Sequence, residues 1–284
     1  MKRIVVTGAT SGIGEEVAYQ LGRAGAALVL GCRDVNKGDH VAARIRAEGG
    51  TDDVIVLPLD AASRRSIQDF SRAYRERFDR LDVLVNNAGL GHGQRLETPE
   101  GLELVFATNV LGYHRLSLAL SDLLVRSAPA RIVVVASTFA SDLDLDDLQW
   151  VRRPYDELAA YAQSKACNRL FSWALARRLE RSGVTVNAMA PGFVPDTRLS
   201  RNLSPDLREA YSRRSGRSVA QGADTAVWLA LSADVEGVTG RFYFDRAELP
   251  CEFRDRAVED RLWTICQGFT AGGLEPGARG LVPQ

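Results

Sequence analysis

Short, unbroken apolar runs alternate with longer stretches whose apolar residues recur at helical spacing. Ile4-Val5-Val6, Ala27-Leu28-Val29-Leu30-Gly31-Cys32, Val54-Ile55-Val56-Leu57, Leu81-Asp82-Val83-Leu84-Val85, Ile132-Val133-Val134-Val135, Val184-Thr185-Val186-Asn187-Ala188 and Phe242-Tyr243-Phe244 read as strands. Continuous runs of this kind suit strands covered on both faces, as in a parallel sheet. The intervening stretches predict helices near 13–21, 36–48, 63–78, 99–125, 158–182 and 224–232; the first places Ile13, Val17, Ala18 and Leu21 on one face. Strand and helix alternate with no Gly/Ser/Pro-rich linker up to Phe244. That predicts one α/β domain over residues 1–247, a doubly wound parallel sheet of about seven strands with helices on both faces. Residues 248–284 read as a C-terminal extension. Leu262, Trp263 and Cys266 predict a helix there that packs on the body, a neighbouring subunit or the active site, with an irregular Gly/Pro-rich end from Gly272.

In doubly wound sheets, ligands bind outside the carboxyl ends of the strands. The unusual polar motifs all follow strands: Gly8–Gly14, Arg33, Asp60, Asn86–Gly89, Ser137 and Pro191-Gly192. They point to one shared site. The first, Thr7-Gly8-Ala9-Thr10-Ser11-Gly12-Ile13-Gly14, bends a strand into a helix. Its glycines permit close approach of an anion, and the helix N-terminus behind them favours a pyrophosphate. The spacing is not G-x-G-x-x-G, so the turn alone also fits a strand-to-helix bend without a ligand. Tyr161-Ala162-Gln163-Ser164-Lys165 places a phenol and an ammonium on one helical face. An adjacent ammonium favours the phenolate, which prepares the tyrosine for proton transfer. By itself the pair is equally compatible with an exposed helix.

Charge narrows the partners. Lys plus Arg and Asp plus Glu number 36 each, so no global field points to nucleic acid or an anionic membrane. The chain begins directly on a strand and carries no apolar stretch long enough to span a bilayer, which predicts a cytoplasmic protein with no membrane partner. Cys32, Cys167, Cys251 and Cys266 form no C-x-x-C pair and read as reduced structural thiols. His40, His92 and His114 lack metal-ligand spacing and read as surface or loop residues, and no metal is expected. The acidic run Asp142 to Asp147 reads as a solvated loop.

Taken together, Thr7-Gly8-x-x-x-Gly12-x-Gly14, Asn86-Asn87-Ala88-Gly89, Asn109, Ser137, Tyr161-x-x-x-Lys165 and Pro191-Gly192 resemble the short-chain dehydrogenase/reductase superfamily, in its order and over most of the chain. The resemblance implies a single-domain Rossmann-type fold and an NAD(P)-dependent oxidoreductase moving hydride between nicotinamide and a carbonyl or alcohol carbon. It makes Tyr161 the general acid/base and Lys165 the residue that lowers its pKa and holds the nicotinamide ribose. Ser137 would bind the substrate oxygen, and Asn109 would anchor a water that links Lys165 to solvent. Cofactor contacts would come from Gly8, Thr10, Ser11, Gly12, Ile13, Gly14, Asp60, Ala61, Asn86, Ala88, Gly89, Pro191, Gly192, Val194 and Thr197, besides Tyr161 and Lys165. Thr197 stands one residue later than the family pattern places its threonine.

Arg33 after Cys32 looks like the family's NADP pattern, an arginine fork for the extra phosphate, with NAD as the alternative because Asp34 follows. Gly31-Cys32-Arg33-Asp34-x-x-Lys37-Gly38 and the insertion containing Asp146-Asp147-Leu148 resemble the retinol dehydrogenase and protochlorophyllide reductase branch. This implies a small, fairly apolar substrate, with Ser137, Phe139, Phe193 and Leu199 as pocket residues. Leu203 and Tyr211 belong to the same expected lid. The arginines 208, 213, 214 and 217 read as a solvated helix face. Family resemblance further implies a homo-oligomer, dimer or tetramer, paired through the long helices after strands four and five. Alternatives within this frame are a reaction without net redox (epimerisation, dehydration or rearrangement) and a nucleotide-sensing regulatory protein. The intact serine, tyrosine and lysine speak against the sensor.

Overall fold

The apolar runs assemble into one sheet with β-strand order β3-β2-β1-β4-β5-β6-β7-β8, numbered along the chain. The strands are β1 Arg3–Thr7, β2 Ala27–Cys32, β3 Val54–Pro58, β4 Val83–Asn86, β5 Ala130–Val135, β6 Val184–Ala190, β7 Phe242–Phe244 and β8 Ala247–Glu248. The computed structural model describes residues 1–141, 143–195, 197, 202–251 and 254–271, without the side chains of Tyr211 and Ala271. β1 to β7 pair in parallel, and β8 alone runs antiparallel.

Alternate side chains leave the sheet on opposite faces. Val5, Leu84, Ile132 and Val134 enter a core with α3 (Arg64–Arg75), α5 (Gly112–Arg126) and α6 (Glu157–Arg178). Ile4, Val6, Val83, Val85, Val133 and Val135 enter a second core with α1 (Gly12–Arg23), α2 (Val35–Ala47) and α8 (Val219–Leu231). Both faces are thus covered, as continuous apolar strands require. Strand order reverses between β1 and β4, which opens the crevice at their carboxyl ends.

Several elements differ from the sequence-based expectation. The sheet holds eight strands among the described residues rather than seven. Asp245 and Arg246 take φ of 50° and 59°, a tight reversal that returns the two-residue β8 onto β7. A strand that short leaves no alternation to read. The helix expected from 99 begins at α4 (Leu104–Phe106), passes through a π-turn at Ala107–Leu111 and continues as α5. Pro205–Ser212 forms an additional helix, α7, inside the segment expected only as a lid. α8 starts earlier than expected, at Val219, where Ser218 and Gln221 form a reciprocal capping box.

The extension supplies α9 (Arg256–Ala271), which packs along α6. Its Trp263 stacks on Phe171 at 6.1 Å between ring centroids and meets His114 edge-on at 4.8 Å. Arg178 lies over the same indole at 4.2 Å, and Arg177 and Arg178 pair with Asp260 at 2.9 Å. His114 is therefore no surface residue: it is fully buried, its Nδ1 lies 3.0 Å from Thr270 Oγ1, and burial lowers its pKa to about 4. The acidic run departs from expectation too. Asp147 is buried and accepts N–H bonds from Val151, Arg152 and Arg153, while Asp146 pairs with Arg261 of α9. These residues knit the loop to its neighbours rather than simply facing solvent. Asp142 and residues 272–284 lie outside the described residues. No helix among the described residues is long and apolar enough to cross a membrane, and none of their side chains form a metal-binding group. The four cysteines are free thiols, three of them buried.

Candidate active site

At the crevice, the ends of β1 and β4 are tied together by side chains. Thr7 Oγ1 donates to Val85 O at 3.2 Å and accepts the N–H groups of Asn87 and Ala88 at 2.9 and 3.0 Å. Asn87 Nδ2 returns a bond to Thr7 O at 2.9 Å. The glycine turn is threaded through this knot. Gly8 has φ of +66°, and a Cβ on Gly14 would stand 2.3 Å from both Asn87 Nδ2 and Gly8 O. No side chain fits there, and the bare turn leaves Gly12, Ile13 and Gly14 on the wall of the crevice at the N-terminus of α1. Ser11, at the N-cap of α1, makes no side-chain capping bond. A bare glycine turn beside an uncapped helix start suits a pyrophosphate.

One end of the crevice is charged. Arg33 is exposed on its wall, and Lys37 of α2 joins it. Asp34 caps α2 by accepting Lys37 N–H at 3.1 Å and pairs with Lys37 Nζ at 2.6 Å. Its carboxylate is thus engaged by its own helix. Across the crevice, Asp60 Oδ1 accepts Ala62 N–H at 3.0 Å, which holds the turn carrying Asp60 and Ala61.

At the other end stand the residues of α6. Lys165 is 4% exposed and donates from Nζ to Val135 O at 3.0 Å, 5.6 Å from the centroid of the Tyr161 ring. Burial lowers the pKa of its ammonium to about 7. Tyr161 is half-buried and stacks at 6.5 Å on Phe139, which is 46% exposed. Ser137 follows β5 on the same wall, its Oγ accepting Phe139 N–H at 3.0 Å. The segment after β6 comes next: Phe193, Leu207 and Ala210 line this end with Leu158, and Arg214 lies over the Phe193 ring at 4.5 Å. The whole crevice encloses about 880 Å³, at the upper end of the range for ligand sites.

A family model described as short chain dehydrogenase matches residues 2–208. The chain belongs to the short-chain dehydrogenases. It is an NAD(P)-dependent dehydrogenase/reductase of the retinol dehydrogenase-like branch. Retinol dehydrogenase 14 of Mus musculus is 38% identical, with 94% of this chain matched to 85% of that one. Retinol dehydrogenase 13 of Homo sapiens is also 38% identical, over 92% of this chain and 82% of its own. Among solved structures, the RhlG/NADP active-site complex of Pseudomonas aeruginosa superposes with a TM-score of 0.68 at 31% identity, covering 85% of this chain and 93% of its own.

The crevice of this dehydrogenase brings together nearly all the residues singled out from sequence. Gly8, Thr10, Ser11, Gly12, Ile13, Gly14, Arg33, Asp60, Ala61, Ala88 and Gly89 line it, with Ser137, Phe139, Tyr161, Lys165, Pro191, Gly192, Phe193, Val194 and Thr197. Thr197 Oγ1 donates to Val194 O at 3.2 Å, and its methyl faces Gly12. Two stand behind the wall. Asn86 is buried and donates to Ser117 Oγ at 2.9 Å. Asn109, in the π-turn, is also buried; it exchanges 2.9 Å bonds with the backbone of Leu90 and donates to Ser164 Oγ at 3.0 Å. Leu199 lies outside the described residues. Of the arginines expected on a solvated helix face, Arg213 pairs with Glu209 and Arg217 with Asp245, while Arg214 reaches the crevice.

Sequence reasoning missed Lys37 and Asn87 as site residues, together with Leu158, Leu207 and Ala210. For Lys37 the signal was present, a second cation four residues after Arg33. The apolar three carry no signal, because only tertiary packing turns them toward one another.

Proposed function

We propose that this dehydrogenase uses NADP to interconvert the carbonyl and alcohol forms of a small, fairly apolar substrate, with Tyr161 as general acid/base. The observation that carries the reading is the continuity of one crevice from Arg33 and Lys37, past the glycine turn, to Lys165, Tyr161 and Ser137. Arg33 and Lys37 supply two cations for the 2′-phosphate, while Asp34, committed to α2, is the less suited to a ribose hydroxyl. Bound NADPH supplies the hydride. Tyr161 gives its phenolic proton to the substrate oxygen during reduction and takes it back in the reverse direction. Ser137 Oγ hydrogen-bonds the same oxygen and holds it against Tyr161. Lys165, in its charged form, favours the phenolate and reaches the nicotinamide ribose. Asn109 fixes Leu90 and the π-turn behind Lys165, where an ordered water would connect the lysine to solvent.

The relatives named retinol dehydrogenases and the walls Phe139, Leu158, Phe193 and Leu207 support a lipophilic alcohol or aldehyde. The test titrates NADPH and NADH separately by cofactor fluorescence, then follows NADPH-dependent reduction of retinaldehyde. NADPH binds more tightly than NADH, and Arg33→Ala weakens NADPH by about 10- to 100-fold, the range for a charge-assisted contact, while sparing NADH. Tyr161→Phe abolishes turnover but not binding. Equal affinities that Arg33→Ala leaves untouched would overturn the NADP assignment.

A further inference from the structure

One buried cation on the catalytic helix is not accounted for by this reading. Arg169 follows Lys165 by one helical turn and Tyr161 by two, so the three share a face of α6. It is 7% exposed. The ladder between β5 and β6 ends where Ala136 N–H donates to Met189 O at 2.8 Å. Arg169 takes the next free stretch: its Nε donates to Ser137 O at 3.0 Å and its Nη2 donates to the same oxygen. The guanidinium carbon rests 4.0 Å over the Phe242 ring on β7, and Nη1 lies 3.8 Å from Cys251 Sγ. Lys165 holds Val135 O in the same way. Two basic side chains of one helix face therefore donate to alternate carbonyls of the segment that delivers Ser137.

We propose that Arg169 is a positioning residue for the Ser137 hydroxyl. This rests on the reading that Ser137 binds the substrate oxygen beside Tyr161. A serine just past the end of a strand has lost the ladder that would fix it, and a hydroxyl misplaced by about 1 Å costs on the order of 100-fold in rate. Two donors of one planar group that converge on a single oxygen hold that oxygen in the guanidinium plane, which a single ammonium does not. Because Tyr161 and Arg169 ride on the same rigid helix, the grip sets the serine in register with the tyrosine.

The test is a cycle of Arg169→Met, Arg169→Lys, Ser137→Ala and the double variants, assayed for NADPH affinity and for kcat and KM with retinaldehyde. Arg169→Met lowers kcat by about 10- to 100-fold, with NADPH affinity changed by less than about two-fold, and Arg169→Lys recovers part of the loss. In the Ser137→Ala background, Arg169→Met adds less than about two-fold, because its effect passes through the missing hydroxyl. Full additivity in that background, or an unchanged kcat in Arg169→Met, overturns the proposal. A kcat left unchanged by Ser137→Ala and by Tyr161→Phe overturns instead the function on which it rests. Amide exchange gives a readout free of any substrate. Phe139 N–H, which bonds Ser137 Oγ, exchanges faster in Arg169→Met while the amides of β5 do not; unchanged exchange at Phe139 also overturns the proposal. If Arg169→Met fails to fold, Arg169→Lys carries both measurements.

Discussion

Lys165 shows how far one residue's environment moves its chemistry. Its ammonium ordinarily titrates near 10.5, and burial behind Tyr161 brings it to about 7. Desolvation disfavours the charged form, so between pH 7 and 10.5 the unfolded chain holds the proton that the folded chain has released. Stability from this group accordingly rises with pH through that window and is lowest below pH 7. Ribose hydroxyls that accept from an ammonium reverse the preference. NADPH binding at pH 8 should therefore be accompanied by uptake of nearly one proton, about what a site emptied at pH 8 and filled on binding requires. Calorimetry in buffers of different ionisation enthalpy measures this, and Lys165→Met removes it. Binding without proton uptake would mean that Lys165 does not meet the cofactor as a cation. Thr7 and Asn87 act differently at the same scale: they carry no reactive group, yet their mutual bonds hold the glycine turn open.

Among the elements, α9 carries the least expected role. Pattern in the sequence foretold a helix around Leu262, Trp263 and Cys266 but left open what it meets. It meets α6, where Trp263 fills the space between Phe171, His114 and Arg178. Loss of a buried indole leaves a large cavity, so Trp263→Ala should destabilise the fold by about 3–5 kcal/mol in denaturant unfolding. A loss under about 1 kcal/mol would mean that α9 adds little to the core. The π-turn at Ala107–Leu111 is the second such element. Apolar periodicity alone runs straight through it, and only the bonds of Asn109 to Leu90 and Ser164 show that the helix bends its register around a side chain.

For the molecule as a whole, the position of α9 bears on association. Family resemblance implies pairing through the helices after β4 and β5, yet the outer surface of α6 is already covered by α9 of the same chain. A second copy would have to displace a helix held by Arg177 and Arg178 to Asp260 and by a buried tryptophan. Light scattering should therefore report a particle of 31.0 kDa, one chain. A stable mass of twice that value would show that copies associate despite α9, through another face or by moving it.

What the sequence determined by itself is whatever depends on neighbours along the chain. Runs such as Ile4-Val5-Val6 and Leu28-Val29-Leu30 declare buried parallel strands because both of their faces are apolar. The glycines of the first turn declare a bare backbone, and Tyr161 and Lys165 declare a shared face because a helix repeats every 3.6 residues. From these followed the doubly wound sheet, and from the strand ends the crevice. Tertiary structure alone decided the rest, since burial and contact depend on residues distant in sequence. His114 and Asp147 are polar in any local window, and only the packing of α9 and of the loop after β5 makes them interior. The two-residue β8 exists because β7 offers an edge for it. Leu158 and Leu207 become walls because α6 and α7 meet across the crevice, and Arg169 reaches Ser137 because α6 lies along the end of β5. Local periodicity sets which face of an element is apolar; only the assembled fold sets what that face touches.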